Sequence, residues 1–419
     1  MTLHQKHGLR LTLIIIAITL FFIANIQRAA IPGAIFDLLQ NDFQIDASKI
    51  TFLGAIFCYV YAITQLIVGP LVDKFGGFRV MAFGGIIFSI GSIIFPHSEG
   101  ILELYLSRAL VGFGAAMFYL STIREVKKYA KDKNFSLAVS YILFVGYSGG
   151  IFANAPFVAC TDLIGWRNSL YLLGFITLLL AIIFIIIFII FKPVHIEKKT
   201  TLSLAPFKEI LSIKDNLYLY CFGAINYGLY YVLQTVIGKK FLEDFAHFDV
   251  NSAAMVLSVM AIISAFAGTI TAFISKSIKN KRAIIFKTYA FLSLFSTLSI
   301  TLLLLFGIHS KIVALIFCIP SYIGSISPIL IMALHTINRH EVSATAVSVQ
   351  NFSFFMMVGI LGMVSGILMN IFEPVKQGNN LIYQNNSYLL VFGLFLILSI
   401  LQVYFSFKIV DKEKITVQE

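Results

Sequence analysis

Long apolar runs follow one another along this chain, each broken by a short stretch rich in lysine, arginine, glycine or asparagine. About 20 mostly apolar residues in helical form span the hydrocarbon of a bilayer. By that measure the runs predict helices at 11–36, 50–71, 79–96, 101–123, 134–160, 168–192, 216–238, 250–275, 283–307, 311–337, 343–371 and 385–409. Twelve such helices leave short connections and no room for a separate soluble domain. The first run continues from Leu11 to Asp37 without a small-residue cleavage site after a short core, so it reads as a retained helix. The longest polar break, Lys192 to Asp215, falls between the sixth and seventh helices. It predicts an N-terminal six-helix bundle over 1–192, a linker over 193–215 and a C-terminal six-helix bundle over 216–419, a layout typical of carriers built from repeats.

Composition agrees with the pattern. Hydrophobic residues make up 59% of the chain and charged residues 12%, against roughly 45–50% and about 25% in soluble domains. A net charge of +11 raises the question of a nucleic-acid partner. Its distribution argues against one. Of 31 lysines and arginines, 23 fall in the termini and the even-numbered connections. The odd-numbered connections hold only Lys49, Arg167, Lys239, Lys240, Lys311 and Lys376, and Arg28 and Arg108 lie within helices. This asymmetry is the positive-inside pattern, so both termini are expected in the cytoplasm of a cell whose plasma membrane (the inner membrane, for a bacterium) holds the chain. Cys58, Cys160, Cys221 and Cys318 are scattered in apolar surroundings without metal-ligand spacing, so they read as small packing residues; no metal or cofactor is expected.

The connection after the second helix reads G-P-L-V-D-K-F-G-G-F-R, from Gly69 to Arg79. Gly69 would let its helix approach a neighbour, Gly76 and Gly77 permit a tight turn, and Asp73 is an acid on a basic face that could meet a cation or a helix N-terminus. Thr271 to Arg282, six helices on, keeps the basic character and loses the acid and the glycines. The first stretch resembles the G-x-L-x-D-[R/K]-x-G-x-x-[R/K] signature of the major facilitator superfamily. Arg108, Gly112 and Gly114 in S-R-A-L-V-G-F-G-A-A, and the G-W-R at Gly165 to Arg167, are similar to that family too. The resemblance implies an all-α membrane fold of two six-helix bundles. It also implies a conformational latch at Gly69, Asp73, Lys74, Gly76 and Arg79, with Arg124 as the candidate partner of Asp73.

Arg28 is the ionisable residue set deepest in a predicted span, roughly 26 Å along an ideal helix from Leu11. Such a charge marks a functional site by default, unless it snorkels to the headgroups. The helix-1 arginine followed by Y-A-I-T-Q-L-I-V-G-P-L-V-D-K-F-G looks like the organic-anion and sugar-acid branch of the superfamily, where that arginine engages a carboxylate. A guanidinium fork suits that task. Two acids associated with proton coupling in that branch are replaced here by Gln27 and Ala115, so facilitated diffusion, exchange and ion coupling stay open. Other polar candidates are Tyr61 and Gln65 in helix 2, Tyr119 in helix 4, Tyr141, Tyr147 and Asn154 in helix 5, and Gln350 in helix 11. In helix 7, Asn226, Tyr230 and Gln234 share one face and are the preferred lining; Tyr227 and Tyr231 lie beside them.

The expectation is a monomeric secondary active or facilitative carrier that moves a small polar, anionic or zwitterionic organic solute by alternating access. Efflux of drugs or metabolites is the rival within transport, and a non-transporting receptor the rival outside it. No H-E-x-x-H and no carboxylate pair points to an enzyme, and no G-x-x-x-x-G-K-[S/T] loop points to nucleotide hydrolysis.

Overall fold

The computed structural model describes residues 3–128, 132–191, 205–278, 281–378 and 380–410. The first crossing, α1 (Leu3–Ala30), stops sooner than the hydropathy predicted, because Pro32 brings no N–H to a continuing helix. A 3₁₀ turn (Gly33–Ile35) and α2 (Phe36–Phe43) then carry the chain on. The next crossings are α3 (Ala47–Phe75), α4 (Gly77–His97) and α5 (Ile101–Lys127). Asp46 starts α3 by accepting the Lys49 N–H at 3.0 Å, an ordinary N-cap. The fifth crossing is a pair, α6 (Asp132–Phe152) and α7 (Ala155–Ile164), bent by 47°, and α8 (Trp166–Phe191) completes the first half.

The second half opens with the short α9 (Ala205–Ser212) inside the stretch expected as linker; Lys192 to Leu204 lies outside the described residues. Then come α10 (Lys214–Val232), a π-turn (Leu233–Ile237) and α11 (Gly238–Asp244), which carries four charged residues beyond the crossing. These are followed by α12 (Val250–Ser277) and α13 (Arg282–Leu305). The tenth crossing, which contains Pro320 and Pro328, is broken into α14 (Val313–Ile316), α15 (Cys318–Ile323) and α16 (Ser327–Ile337). Last are α17 (His340–Met369), a hairpin of β1 (Val375–Gln377) and β2 (Asn380–Ile382), and α18 (Asn385–Lys408).

Among the described residues, ten helices are long and apolar enough to cross a membrane, and the bent pair makes eleven. The remaining crossing, α10 with its π-turn, falls short in apolar content for a physical reason. It is buried along nearly its whole length, from Leu219 to Ile237, so its amides and tyrosines meet protein rather than lipid. The opposite case is α8, whose Leu172, Ile176, Leu179, Ile183, Ile186 and Ile190 are exposed and present an apolar face outward.

One end of the crossings carries the Gly69–Arg79 connection and the other carries the β-hairpin. On the hairpin face the halves are tied together. Gln40 donates to the Tyr383 hydroxyl at 2.7 Å, Asn41 to Asn380 at 2.8 Å, and the Ala155 N–H to Ser258 Oγ at 2.9 Å. The long antiparallel contact of α3 with α17 is tightest there as well; a Cβ on Gly366 would lie 2.0 Å from Thr51 Oγ1. On the motif face Asp73 pairs with Arg124 within the first half and Glu209 with Arg339 within the second.

Candidate functional site

The Arg28 side chain comes from the last turn of α1 and reaches across to the second half. Its Nη2 donates to the Tyr231 hydroxyl at 3.1 Å. The guanidinium carbon lies 5.0 Å from the Tyr231 ring centre, 5.5 Å from Phe355 and 5.8 Å from Tyr147, within cation–π range of all three. Its Nε is buried without a hydrogen bond, and among the described residues no carboxylate lies within 4 Å of it. The charge is therefore held between the halves, with donors unspent. Tyr61 stands one ring further out, 4.3 Å from Phe355, and Tyr119 two rings out, through Phe21 to Tyr147.

Helix α10 contributes a different face from the one preferred above. Asn226 turns into the second half, donating to the Ile323 carbonyl at 2.7 Å and accepting from Gln402 at 2.8 Å. Tyr230 packs beside Gly324 in the same half. Only Gln234, on the π-turn, reaches toward the first half, with its Nε2 unpartnered and facing Gly150. Tyr227 and Tyr231 are the pair that looks across: they stack at 4.1 Å, and Tyr227 lies flat on Phe354 at 4.6 Å. The amides turned inward because they satisfy one another there, which leaves the amphiphilic phenols for the interface. Phe355 was missed outright, since one phenylalanine among 41 carries no sequence signal.

Three further candidates are spent or misplaced. Gln65 donates to the Ala116 carbonyl at 3.0 Å and so ties α3 to α5. Gln350 lies behind α10 against Gly223, its amide atoms buried without partners. Tyr141 is 62% exposed on the outer surface.

At the motif face, Asp73 pairs with Arg124 across the α3–α5 contact. Gly76 adopts φ +87°, which favours glycine, and it is Gly77 that makes the close approach, where a Cβ would lie 2.6 Å from the Ser121 carbonyl oxygen. Gly69 has open space around it, so no neighbour packs there in this conformation. The N-terminus of α4 is met by Glu125, whose Oε1 accepts the Gly77 N–H at 2.7 Å. That is the place a carboxylate is favoured.

The geometry is that of a helical membrane protein in two halves, and comparison with known proteins agrees. The family model described as Major Facilitator Superfamily matches residues 14–363. This chain belongs to the major facilitator superfamily. It is similar to monocarboxylate transporter 7 of Homo sapiens (26% identical over 171 residues, 40% of this chain and 32% of that protein). It is also similar to the uncharacterized transporter YybO of Bacillus subtilis strain 168 (31% over 150 residues, 35% of this chain and 34% of that protein). The chain thus spans about a third of the length of these relatives. Its fold matches a bacterial homologue of the human lysosomal transporter Spinster, solved inward-facing and unoccupied, with a TM-score of 0.73 at 15% identity over 96% of this chain and 97% of that one. It also matches the nucleoside transporter NupG with a TM-score of 0.72, likewise at 15% identity, over 96% and 99%.

Proposed function

We propose that this transporter moves a small organic anion or zwitterion by alternating access, with Arg28 as the anchor for a carboxylate or similar group. The carrying observation is the guanidinium held among Tyr147, Tyr231 and Phe355 with no carboxylate beside it among the described residues. A buried cation costs about 2.5–3.5 kcal/mol at a span centre even on the mildest scale. An anionic ligand that brings its own charge and two acceptors lowers that cost and engages the fork. Relatives named for monocarboxylate and anion transport are in keeping with this reading.

In this reading 1–192 and 216–419 are the two moving bodies, joined by the 193–215 linker, and the motif face with both termini is cytoplasmic. The structure then corresponds to a state shut toward the outside, with Asp73 and Arg124 acting as a latch that engages the other half in the outward-open state.

The test uses purified protein and a panel of acetate, lactate, succinate, gluconate, amino acids and neutral sugars, scored by thermal shift and then by flux into proteoliposomes. A carboxylate should raise the melting temperature and be carried. Arg28→Ala should abolish both effects with folding intact, and Arg28→Lys should weaken binding roughly tenfold by losing the fork. A hit whose affinity ignores Arg28→Ala overturns the assignment.

A further inference from the structure

Where α11 leaves the seventh crossing, five charged side chains meet under the hairpin. Lys240 Nζ lies 2.8 Å from Asp37 Oδ1 of the first half and 2.9 Å from Asp244 Oδ1 of the second. Lys239 Nζ lies 2.7 Å from Glu243 Oε1. No side chain in the group is more than 17% exposed, and that of Lys240 is 2% exposed. Because Asp37 sits on α2 and the rest on α11, the group bridges the halves on the face that is shut. Pulling them apart would expose it to water.

The group does not balance. Three carboxylates oppose two ammonium ions, which leaves one uncompensated negative charge where charge is expensive. Asp244 is well held as an anion: its Oδ2 also accepts the Tyr383 N–H at 3.0 Å and the Tyr388 hydroxyl at 2.8 Å. Glu243 is the weak member, since Oε2 is buried without a hydrogen-bond partner. Among the described residues no further cation pairs with the group: Lys376 on β1 and Lys49 at the start of α3 are both exposed. The 3₁₀ turn and the π-turn have no titratable residue, α12 has none before Lys276, and the titratable residues of α17 are His340 and Glu341 at its far end. The hairpin and α18 bring the hydroxyls of Tyr383 and Tyr388, and α2 brings Gln40 onto Tyr383. His309 sits on the other side of the α11 end, its Nδ1 2.7 Å from the Phe245 carbonyl.

We infer that this cluster is a proton-binding latch, which closes the hairpin face with one proton taken from outside water onto Glu243 and returns it when the face opens. The inference rests on the alternating-access reading and adds a titratable gate away from Arg28. Burial pushes the Glu243 carboxyl up to about 7, against the lowering pull of Lys239, and burial pushes Asp244 up to about 6 against that of Lys240. Opened to water, both return toward ordinary carboxylate values. The sign follows: the closed form binds more protons, so closure strengthens as pH falls through about 7 and gains nothing above it.

The experiment measures the distance across the hairpin face by pulsed electron paramagnetic resonance. Spin labels go at Leu163→Cys and Val375→Cys on the full chain, with its four native cysteines replaced. The closed-to-open ratio should rise by up to roughly tenfold between pH 7 and pH 6. Glu243→Gln, which mimics the protonated acid, should leave no more than about a twofold rise between pH 8 and pH 6, from Asp244 alone. Lys239→Gln, which deepens the imbalance, should move the midpoint upward. A ratio independent of pH in the parent protein, or a Glu243→Gln response matching the parent, overturns the inference. Arg28→Ala in the same background should keep the pH response while losing carboxylate binding, so loss of the anion site and loss of the latch are read separately.

Discussion

Arg28 and Arg108 lie on neighbouring helices of the first half, and each is pressed against aromatic rings, yet their donors meet opposite fates. Arg108 is 1% exposed, and its fork is fully committed: Nε donates to the Leu53 carbonyl at 3.3 Å, Nη1 to Gln27 at 3.4 Å and Nη2 to Ile31 at 3.1 Å. Two of those carbonyls lie at the end of α1, where that of Gln27 also accepts the Ile31 N–H at 3.4 Å and that of Ile31 lies just past the last helical residue. Arg108 is a helix cap made by a side chain from another helix. Arg28 meets one hydroxyl and three rings and keeps donors in reserve. Both sit inside the helix bundle; what sets them apart is the number of partners each has already found.

The contrast can be broken most sharply at Arg108. Replacing it with alanine should remove three buried hydrogen bonds and cost on the order of 3 kcal/mol, read as lost expression or a large fall in melting temperature. Arg28→Ala should leave the melting temperature of the unliganded protein near the parent value. If the two variants destabilise equally, the contrast fails. Asn226→Ala, which removes two contacts inside the second half, should cost about 1–2 kcal/mol of stability and leave carboxylate affinity unchanged. Tyr231→Phe takes away the one hydroxyl that orients Arg28. It should weaken carboxylate binding roughly fivefold, with stability untouched. Tyr141→Ala, on the outer face, should change stability by less than about 0.5 kcal/mol and flux not at all.

Much of this was legible beforehand, for reasons that can be named. Helix count follows from hydropathy, because lipid enforces apolar length, and Gly69 to Arg79 is specific enough to mark the family. Arg28 stands out because a charge in such a run is rare. The working face of α10 was not legible. Asn226, Tyr230, Gln234 and Tyr227, Tyr231 are both fair one-face sets, offset by about 100°. The choice between them is made by Gln402 and the Ile323 carbonyl, far along the chain. The Lys240–Asp244 spacing was visible as a helical pair. Its third member, Asp37, was not, and neither was the charge imbalance it creates.

The π-turn at Leu233–Ile237 has a consequence for how the chain tolerates insertion and deletion. A π-turn accommodates one residue more than an α-helix would, so it rephases everything that follows by roughly 100°. The tyrosines ahead of it and the charges behind it ride on one rod but are aimed independently. Deleting Thr235 would leave Tyr227 and Tyr231 facing Arg28 while swinging Lys240 away from Asp37. The register of a single residue thus links the aim of the tyrosines at Arg28 to that of the lysines at Asp37, and lineages that lose it would have to rebuild one end of the helix.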